Sequence, residues 1–126
     1  MNQAVILSTA RTPIGKAYRG SFNDTDAPTL ASYAIKASIK NAGIDPSEVE
    51  DVIIGAAVQQ GTQGYNIGRL SAAASGLPIH VPGMSVDRQC ASGLMAIAIG
   101  AKQIACKEMD IVIGGGVESI SLVQNE

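Results

Sequence analysis

Apolar residues fall into short blocks separated by polar stretches that carry Gly and Pro. The first block, Ala4-Val5-Ile6-Leu7, contains β-branched residues and is broken by Arg11-Thr12-Pro13, which predicts a buried strand. Gly15 to Asp26 is polar and predicts a loop. A helix is predicted to start near Asp26 to Thr29, with an Asp or Thr cap and Pro28 in the first turn. Ala31, Ile35, Ile39 and Ala42 then share one face, and Gly43 suits the position just past the helix end. Asp45-Pro46-Ser47-Glu48 predicts a turn, and Val52-Ile53-Ile54 with Ala56 to Val58 a second strand.

Further along, Gln59 to Asn66 reads as a loop. Arg69 to Ser75, closed by Gly76, reads as a short helix whose small residues permit close approach to its neighbours. Pro78 and Pro82 bracket an extended connection, and Met84-Ser85-Val86 predicts a third, short strand. Cys90 to Ala105 predicts a long helix. Asp110 to Ile113 predicts a fourth strand that ends in Gly114-Gly115-Gly116. The order β-α-β-α-β-α-β is that of an α/β fold with a parallel sheet and covering helices. Residues 1–126 contain no dividing linker, repeat or low-complexity segment, and form one domain or part of one.

One helix does not suit a sheet with helices only on its outside. From Cys90 to Ala101 there is no charged residue, and Leu94, Met95, Ile97 and Ile99 point in several directions. A helix apolar all round is buried all round. This one needs a second cover that the chain does not supply, either from the rest of a larger protein or from a second copy in a homodimer.

Composition narrows the class. Hydrophobic residues make up 46% and charged residues 16%, which excludes disorder. With aromatics at 3%, the core must be built from Ala, Ile, Val and Leu. The net charge of -2 and the lack of a basic cluster argue against nucleic acid and anionic membranes as partners. No apolar segment approaches the roughly 20 residues of a membrane span, and Ala4 to Leu7 is too short for a secretory core. The expectation is a cytoplasmic protein. Two distant Cys cannot build a disulfide framework or a metal knuckle, and no metal site is visible.

Cys90 is the main candidate for chemistry. It follows a predicted strand by a few residues and opens a helix, in Val86-Asp87-Arg88-Gln89-Cys90-Ala91-Ser92-Gly93. A thiol there meets unpaired helix N–H groups and the positive end of the dipole, which favour the nucleophilic thiolate. The same N–H groups could stabilise an oxyanion. The competing reading is a Cys packed as a small hydrophobe. Asp87 disfavours thiolate, and Arg88 could offset it. Cys106, at the far end of the helix, reads as structural. His80, the only His, lies between Pro78 and Pro82 with no carboxylate nearby, and reads as a loop residue rather than a base. A base for Cys90 would then lie outside the chain. Gly114 to Ser119 matches a dinucleotide fingerprint weakly, and a close-packed backbone turn is the preferred reading. Gly15-Lys16 lacks the rest of a phosphate loop. Asp24, Asp26, Asp45, Glu48, Glu50 and Asp51 read as caps and solvated surface.

Three stretches together resemble the N-terminal part of the thiolases, which cleave 3-ketoacyl-CoA or condense two acetyl-CoA molecules. Ala10-Arg11-Thr12-Pro13-Ile14-Gly15, followed by Gly20-Ser21-Phe22, is similar to the family's opening strand and loop. Ser85 to Leu94 resembles the nucleophile segment, and Gly114 to Ser121 resembles Gly-Gly-x-Glu-Ser-Met-Ser. The likeness runs over the whole chain. Asp87 stands where the family usually has Asn. In Gly64-Tyr65-Asn66-Ile67-Gly68-Arg69, the Gly, Asn and Arg match Gly-Gln-Asn-Pro-Ala-Arg, while Tyr65, Ile67 and Gly68 depart from it in a loop that meets a partner subunit.

The resemblance implies a βαβαβαβ half of a five-layer αβαβα fold, incomplete in this chain, with the helix after the nucleophile buried between two sheets. Residues 1–126 would be the N-terminal domain, ending before the CoA-binding loop domain and the C-terminal half. The resemblance makes Cys90 the acyl-carrying nucleophile of a homo-oligomeric acyltransferase of fatty acid metabolism and β-oxidation. Coenzyme A thioesters would be its substrates, with no resident cofactor. It places the His of a Gly-His-Pro motif and a second Cys in the other half, so the chain alone should be inactive. A ketoacyl synthase-like condensing enzyme, a non-catalytic thiolase-like subunit and a nucleotide-binding domain are the alternatives.

Overall fold

A computed structural model describes residues 3–124. Three parallel strands form a sheet in the order β2-β1-β3, with β1 at Asp51–Gly55, β2 at Met84–Val86 and β3 at Val112–Gly116. The helices are α1 (Ala27–Ala42), α2 (Ile67–Ala74), α3 (Ser92–Ala105) and the single turn α4 (Ile120–Val123), with short 3-10 turns at Pro46–Glu48 and Gly61–Gln63. The architecture is α/β, as the pattern of blocks predicts.

Strand alternation divides the chain into layers. Val52 and Ile54 of β1 enter a core with Ala27, Ala31, Ile35 and Ile39 of α1 and Ile67 and Ala72 of α2. Ile53 turns the other way and packs with Val86 and with Ala96 of α3. So α1 and α2 cover one face and α3 the other. The central strand β1 is buried along its whole length, as expected of a strand covered on both faces.

Local signals hold at several element ends. Asp26 caps α1 by accepting from the Thr29 amide at 2.7 Å, and Gly43 closes it at φ 70°. Asn66 caps α2 by accepting from Arg69 N at 3.0 Å. Asp45 and Glu48 form a reciprocal capping box on the short 3-10 turn Pro46–Glu48. Asp45 is held below its ordinary carboxylate value by the Ser47 hydroxyl and then the Ser47 amide. Asp51, expected on the surface, is instead buried at the head of β1.

The expected first strand is not formed. Ala4 to Leu7 lies outside regular structure, and Val5, Ile6 and Leu7 are 68%, 76% and 61% exposed. A strand exists only in a ladder, and among the described residues none pairs with this segment. The segment is tied to α1 by the Ser8 hydroxyl donating to Ser38 O at 2.6 Å. Farther along, a cavity of about 480 Å³ separates Ala10 to Pro13 from Tyr33, Ala34 and Ala37.

A second difference concerns the glycine run. Gly114, Gly115 and Gly116 do not follow the fourth predicted strand but lie inside β3, in register with Ile53, Ile54 and Gly55. They let α3 approach backbone to backbone. A Cβ on Gly114 would stand 2.9 Å from Ile97 Cα, and one on Gly116 would stand 3.0 Å from Gly93 Cα. The inward stripe of α3 is accordingly Ser92, Ala96 and Gly100. Its outward residues Leu94 and Ile97 are 72% and 45% exposed. The described residues therefore supply no second cover for this helix.

Candidate active site

The carboxyl ends of the three strands lie at one edge of the sheet, where open α/β sheets hold their ligands. Backbone bonds lace this edge together. Ala56 N donates to Val86 O at 3.1 Å, and Val117 N donates to Gly55 O at 3.0 Å. The start of α3 lies over the same edge. A side chain on Gly55 would collide with the Ser92 carbonyl and the Gly93 nitrogen, so only glycine permits this contact.

Cys90 stands at this edge. It is exposed, two residues before the first residue of α3. It lies just ahead of the helix rather than inside it, and in this chain it is not packed as a buried hydrophobe. Helix-type bonding at this end begins with Met95 N donating to Ala91 O at 2.9 Å. The helix has no side-chain cap at Ala91. Ser92 N donates to Gln89 O, and the next first-turn amides have no side-chain cap among the described residues.

The turn that carries Cys90 is tightly bonded. Gln89 adopts φ 52°, a left-handed conformation that costs a non-glycine residue about 1–3 kcal/mol. Its amide donates to Asp87 Oδ1 at 2.9 Å. The Ser92 hydroxyl donates to Gln89 O at 2.6 Å and accepts from Arg88 N at 2.8 Å. Ala91 N and Ser92 N close back onto Arg88 O and Gln89 O at 3.1 and 3.0 Å. The Arg88 guanidinium reaches Met95 Sδ at 3.8 Å.

The other candidates lie elsewhere or serve the scaffold. His80 has its Nε2 3.4 Å from Ser47 O, beside the turn that precedes β1. Cys90 follows the carboxyl end of β2, parallel to β1. The two residues thus lie toward opposite ends of the strands. Cys106 is exposed at the C-terminal cap of α3. Gly15-Lys16 borders a small pocket with Glu118 and Ser119. No group of three or more His, Cys, Asp or Glu among the described residues could hold a metal ion. No helix among them is long and apolar enough to cross a membrane.

Glu118 has a role that sequence reasoning missed. Its carboxylate accepts from Ala57 N at 2.8 Å, Val58 N at 3.2 Å and Gln63 Nε2 at 2.6 Å. Gln63, fully buried, also donates to Val58 O at 2.7 Å and accepts from Ser119 N. The Ser119 hydroxyl donates to Thr25 O at 2.9 Å, and the Ser121 hydroxyl to Asn23 Oδ1 at 2.9 Å. The stretch after β3 thus ties down the loop after β1. The departing loop residues behave differently from one another. Tyr65 is fully exposed at φ 58°, Ile67 is fully buried, and Gly68 lies directly on the Met84 and Val52 backbone.

Comparison with known proteins agrees with this architecture. The family model described as the N-terminal domain of thiolase matches residues 4–126. The chain is 42% identical over 123 residues to the 3-ketoacyl-CoA thiolase of Bacillus subtilis, covering 98% of this chain and 32% of that protein. It is 41% identical over 120 residues to the beta-ketoadipyl-CoA thiolase of Pseudomonas aeruginosa, covering 94% of this chain and 30% of that one. The crystal structure of the Bacillus anthracis acetyl-CoA acetyltransferase superposes with a TM-score of 0.92 at 35% identity, over 98% of this chain and 31% of its own. The chain therefore spans about a third of the length of the relatives it matches. With this match over nearly its whole length, the chain belongs to the thiolase family and has the fold of an N-terminal fragment of its members.

Proposed function

We propose that the protein carrying this chain is an acyltransferase of the thiolase type, with Cys90 as the residue that takes up the acyl group. The observation that carries this reading is an exposed thiol at the carboxyl edge of the sheet, immediately ahead of the uncapped N-terminus of α3. Family membership adds to it, since the relatives are named thiolases and acetyl-CoA acyltransferases.

In the cleaving direction, Cys90 Sγ attacks the 3-keto carbon of a 3-ketoacyl-CoA, and a carbon–sulfur bond forms. The bond between carbons 2 and 3 breaks. Its electron pair stays on carbon 2, which takes a proton and departs as acetyl-CoA. The thiol of a second coenzyme A then attacks the acyl-Cys90 carbonyl and gives up its proton, and Cys90 leaves as thiolate. Condensation runs the same steps backward. His80, at the opposite end of the sheet, is not assigned a part, and the proton carriers are assigned to residues outside this chain. The exposed outer face of α3 is assigned to contact with another part of the same protein. No resident cofactor is invoked.

The test is to incubate the protein with acetoacetyl-CoA, quench in acid and map the peptides. The expected result is an acetyl group on the Cys90 peptide, absent in Cys90→Ser. Thiolysis that persists in Cys90→Ser, or an acetyl group found on Cys106 alone, would overturn the proposal.

A further inference from the structure

Among the described residues none bonds the free, exposed Cys90 thiol, yet the backbone that carries it is heavily constrained. Backbone bonds from Ala91 N to Arg88 O and from Ser92 N to Gln89 O supply part of the constraint, and two side chains that flank Cys90 supply the rest. The Ser92 hydroxyl bridges two backbone groups, donating to Gln89 O at 2.6 Å and accepting from Arg88 N at 2.8 Å. Ser92 is 3% exposed, so water cannot take over either bond. On the other side, Asp87 Oδ1 accepts from Gln89 N at 2.9 Å. Between them they hold both the amide and the carbonyl of Gln89, the residue at φ 52°. Left-handed conformations persist in non-glycine residues only where the surroundings over-determine them, and here the two side chains do so together with the Ser92 N bond to Gln89 O. Gln89 immediately precedes Cys90, so its conformation contributes to the direction in which Cys90 leaves the turn.

We infer that Ser92 and Asp87 are positioning residues: they lock Gln89 in the left-handed conformation and so aim the Cys90 thiol at the open edge of the sheet. The inference rests on Cys90 being the acylated residue. Asp87 acts through its acceptor oxygen, so an amide in its place serves as well. Ser92 acts on the same dihedral, so its importance depends on what stands at position 89. Glycine reaches positive φ without a penalty and does not need the clamp.

The test uses the protein that carries this chain and reads two quantities. The first is the single-turnover rate of acyl-Cys90 formation from acetoacetyl-CoA at saturating substrate. The second is the rate of iodoacetamide alkylation of Cys90 relative to Cys106, the internal reference at the far end of the helix. Ser92→Ala is expected to lower the acylation rate about tenfold, with KM changed far less, and to lower the alkylation ratio. Asp87→Ala, at an exposed position that folds readily, is expected to lower both by about threefold. Asp87→Asn restores both. In a Gln89→Gly background, Ser92→Ala loses most of its effect, a coupling that a merely structural hydroxyl would not show. Asp87→Asn as slow as Asp87→Ala would overturn the inference. So would a Ser92→Ala effect that is unchanged in the Gln89→Gly background. If wild-type protein carries no acyl group on Cys90, the functional proposal fails, and the alkylation ratios still decide whether the clamp positions the thiol.

Discussion

Two adjacent glycines in β3 should respond to alanine in opposite directions. All of Gly114 to Gly116 lie outside the positive-φ region, so alanine is allowed by the backbone at each. Replacing a strand glycine by alanine recovers about 0.4–1 kcal/mol of unfolded-chain entropy. At Gly115 a new Cβ meets only Ile54 Cδ1 at 3.9 Å, an ordinary contact. Gly115→Ala should therefore be neutral or stabilising by up to about 1 kcal/mol. At Gly114 the new Cβ meets Ile97 Cα at 2.9 Å and Ile97 N at 3.1 Å. Both are backbone atoms of α3, so no side-chain rotation relieves the contact. Overpacking of this kind costs about 1–3 kcal/mol, which exceeds the entropic gain and leaves a net loss of about 1–2 kcal/mol. The two variants should differ by about 2 kcal/mol, or about 1 M in urea midpoint for an m-value near 2 kcal/mol/M. Gly55→Ala should be worse than Gly114→Ala, because its Cβ would fall on the Ser92 carbonyl. Urea unfolding of the variants in one background measures this. Gly115→Ala as damaging as Gly114→Ala, or Gly114→Ala without effect, would refute the claim that α3 rests backbone to backbone on β3.

Two further outcomes follow from the side chains that bind backbone. Glu118→Ala strands the amides of Ala57 and Val58 and the Gln63 side chain, and should cost about 1–3 kcal/mol, read as a lower urea midpoint with an unchanged m-value. Glu50 and Asp51 should show opposite pH dependences. The amides of Asp110 and then Ile111 hold Glu50 below its ordinary 4.5, so its stabilisation is complete above that value and is lost as pH falls through the lower folded one. Burial holds Asp51 above its ordinary 3.8, so its ionisation costs stability as pH rises through the higher folded value. Thermal melts should show Glu50→Gln destabilising at neutral pH and converging with wild type in acid, and Asp51→Asn stabilising at neutral pH. A shared direction at neutral pH would contradict the assignment.

Much of the fold was legible because its signals are local. Asp26, Pro28 and Gly43 marked both ends of α1, and Met84–Val86 was bounded by its own polar flanks. The position of Cys90 between a strand and a helix was legible for the same reason. What failed needed partners distant in sequence. Val5, Ile6 and Leu7 have strand-like composition, yet strand formation depends on a neighbouring ladder that composition does not encode. Gly114 to Gly116 have poor strand propensity but are drawn into β3 by pairing with Ile53 to Gly55 and by the approach of α3. Glu118 and Gln63 are 55 residues apart, and nothing around either one signals their contact.

The two kinds of residue at the carboxyl edge of the sheet do complementary work. Glycines at 55, 93 and 116 remove side chains so that the start of α3 can lie directly on the strand ends. That contact brings the uncapped helix terminus and Cys90 to the edge, but glycine-rich backbone resists distortion weakly. Stiffness has to come from side chains bonded to backbone. Glu118 and Gln63 hold the loop after β1, and Asp87 and Ser92 hold the turn before α3. None of these four is hydrophobic, and two of them, Gln63 and Ser92, are buried. A buried polar side chain with its bonds satisfied contributes little net stability but specifies one arrangement strongly. The edge is therefore built for a fixed geometry around an exposed thiol.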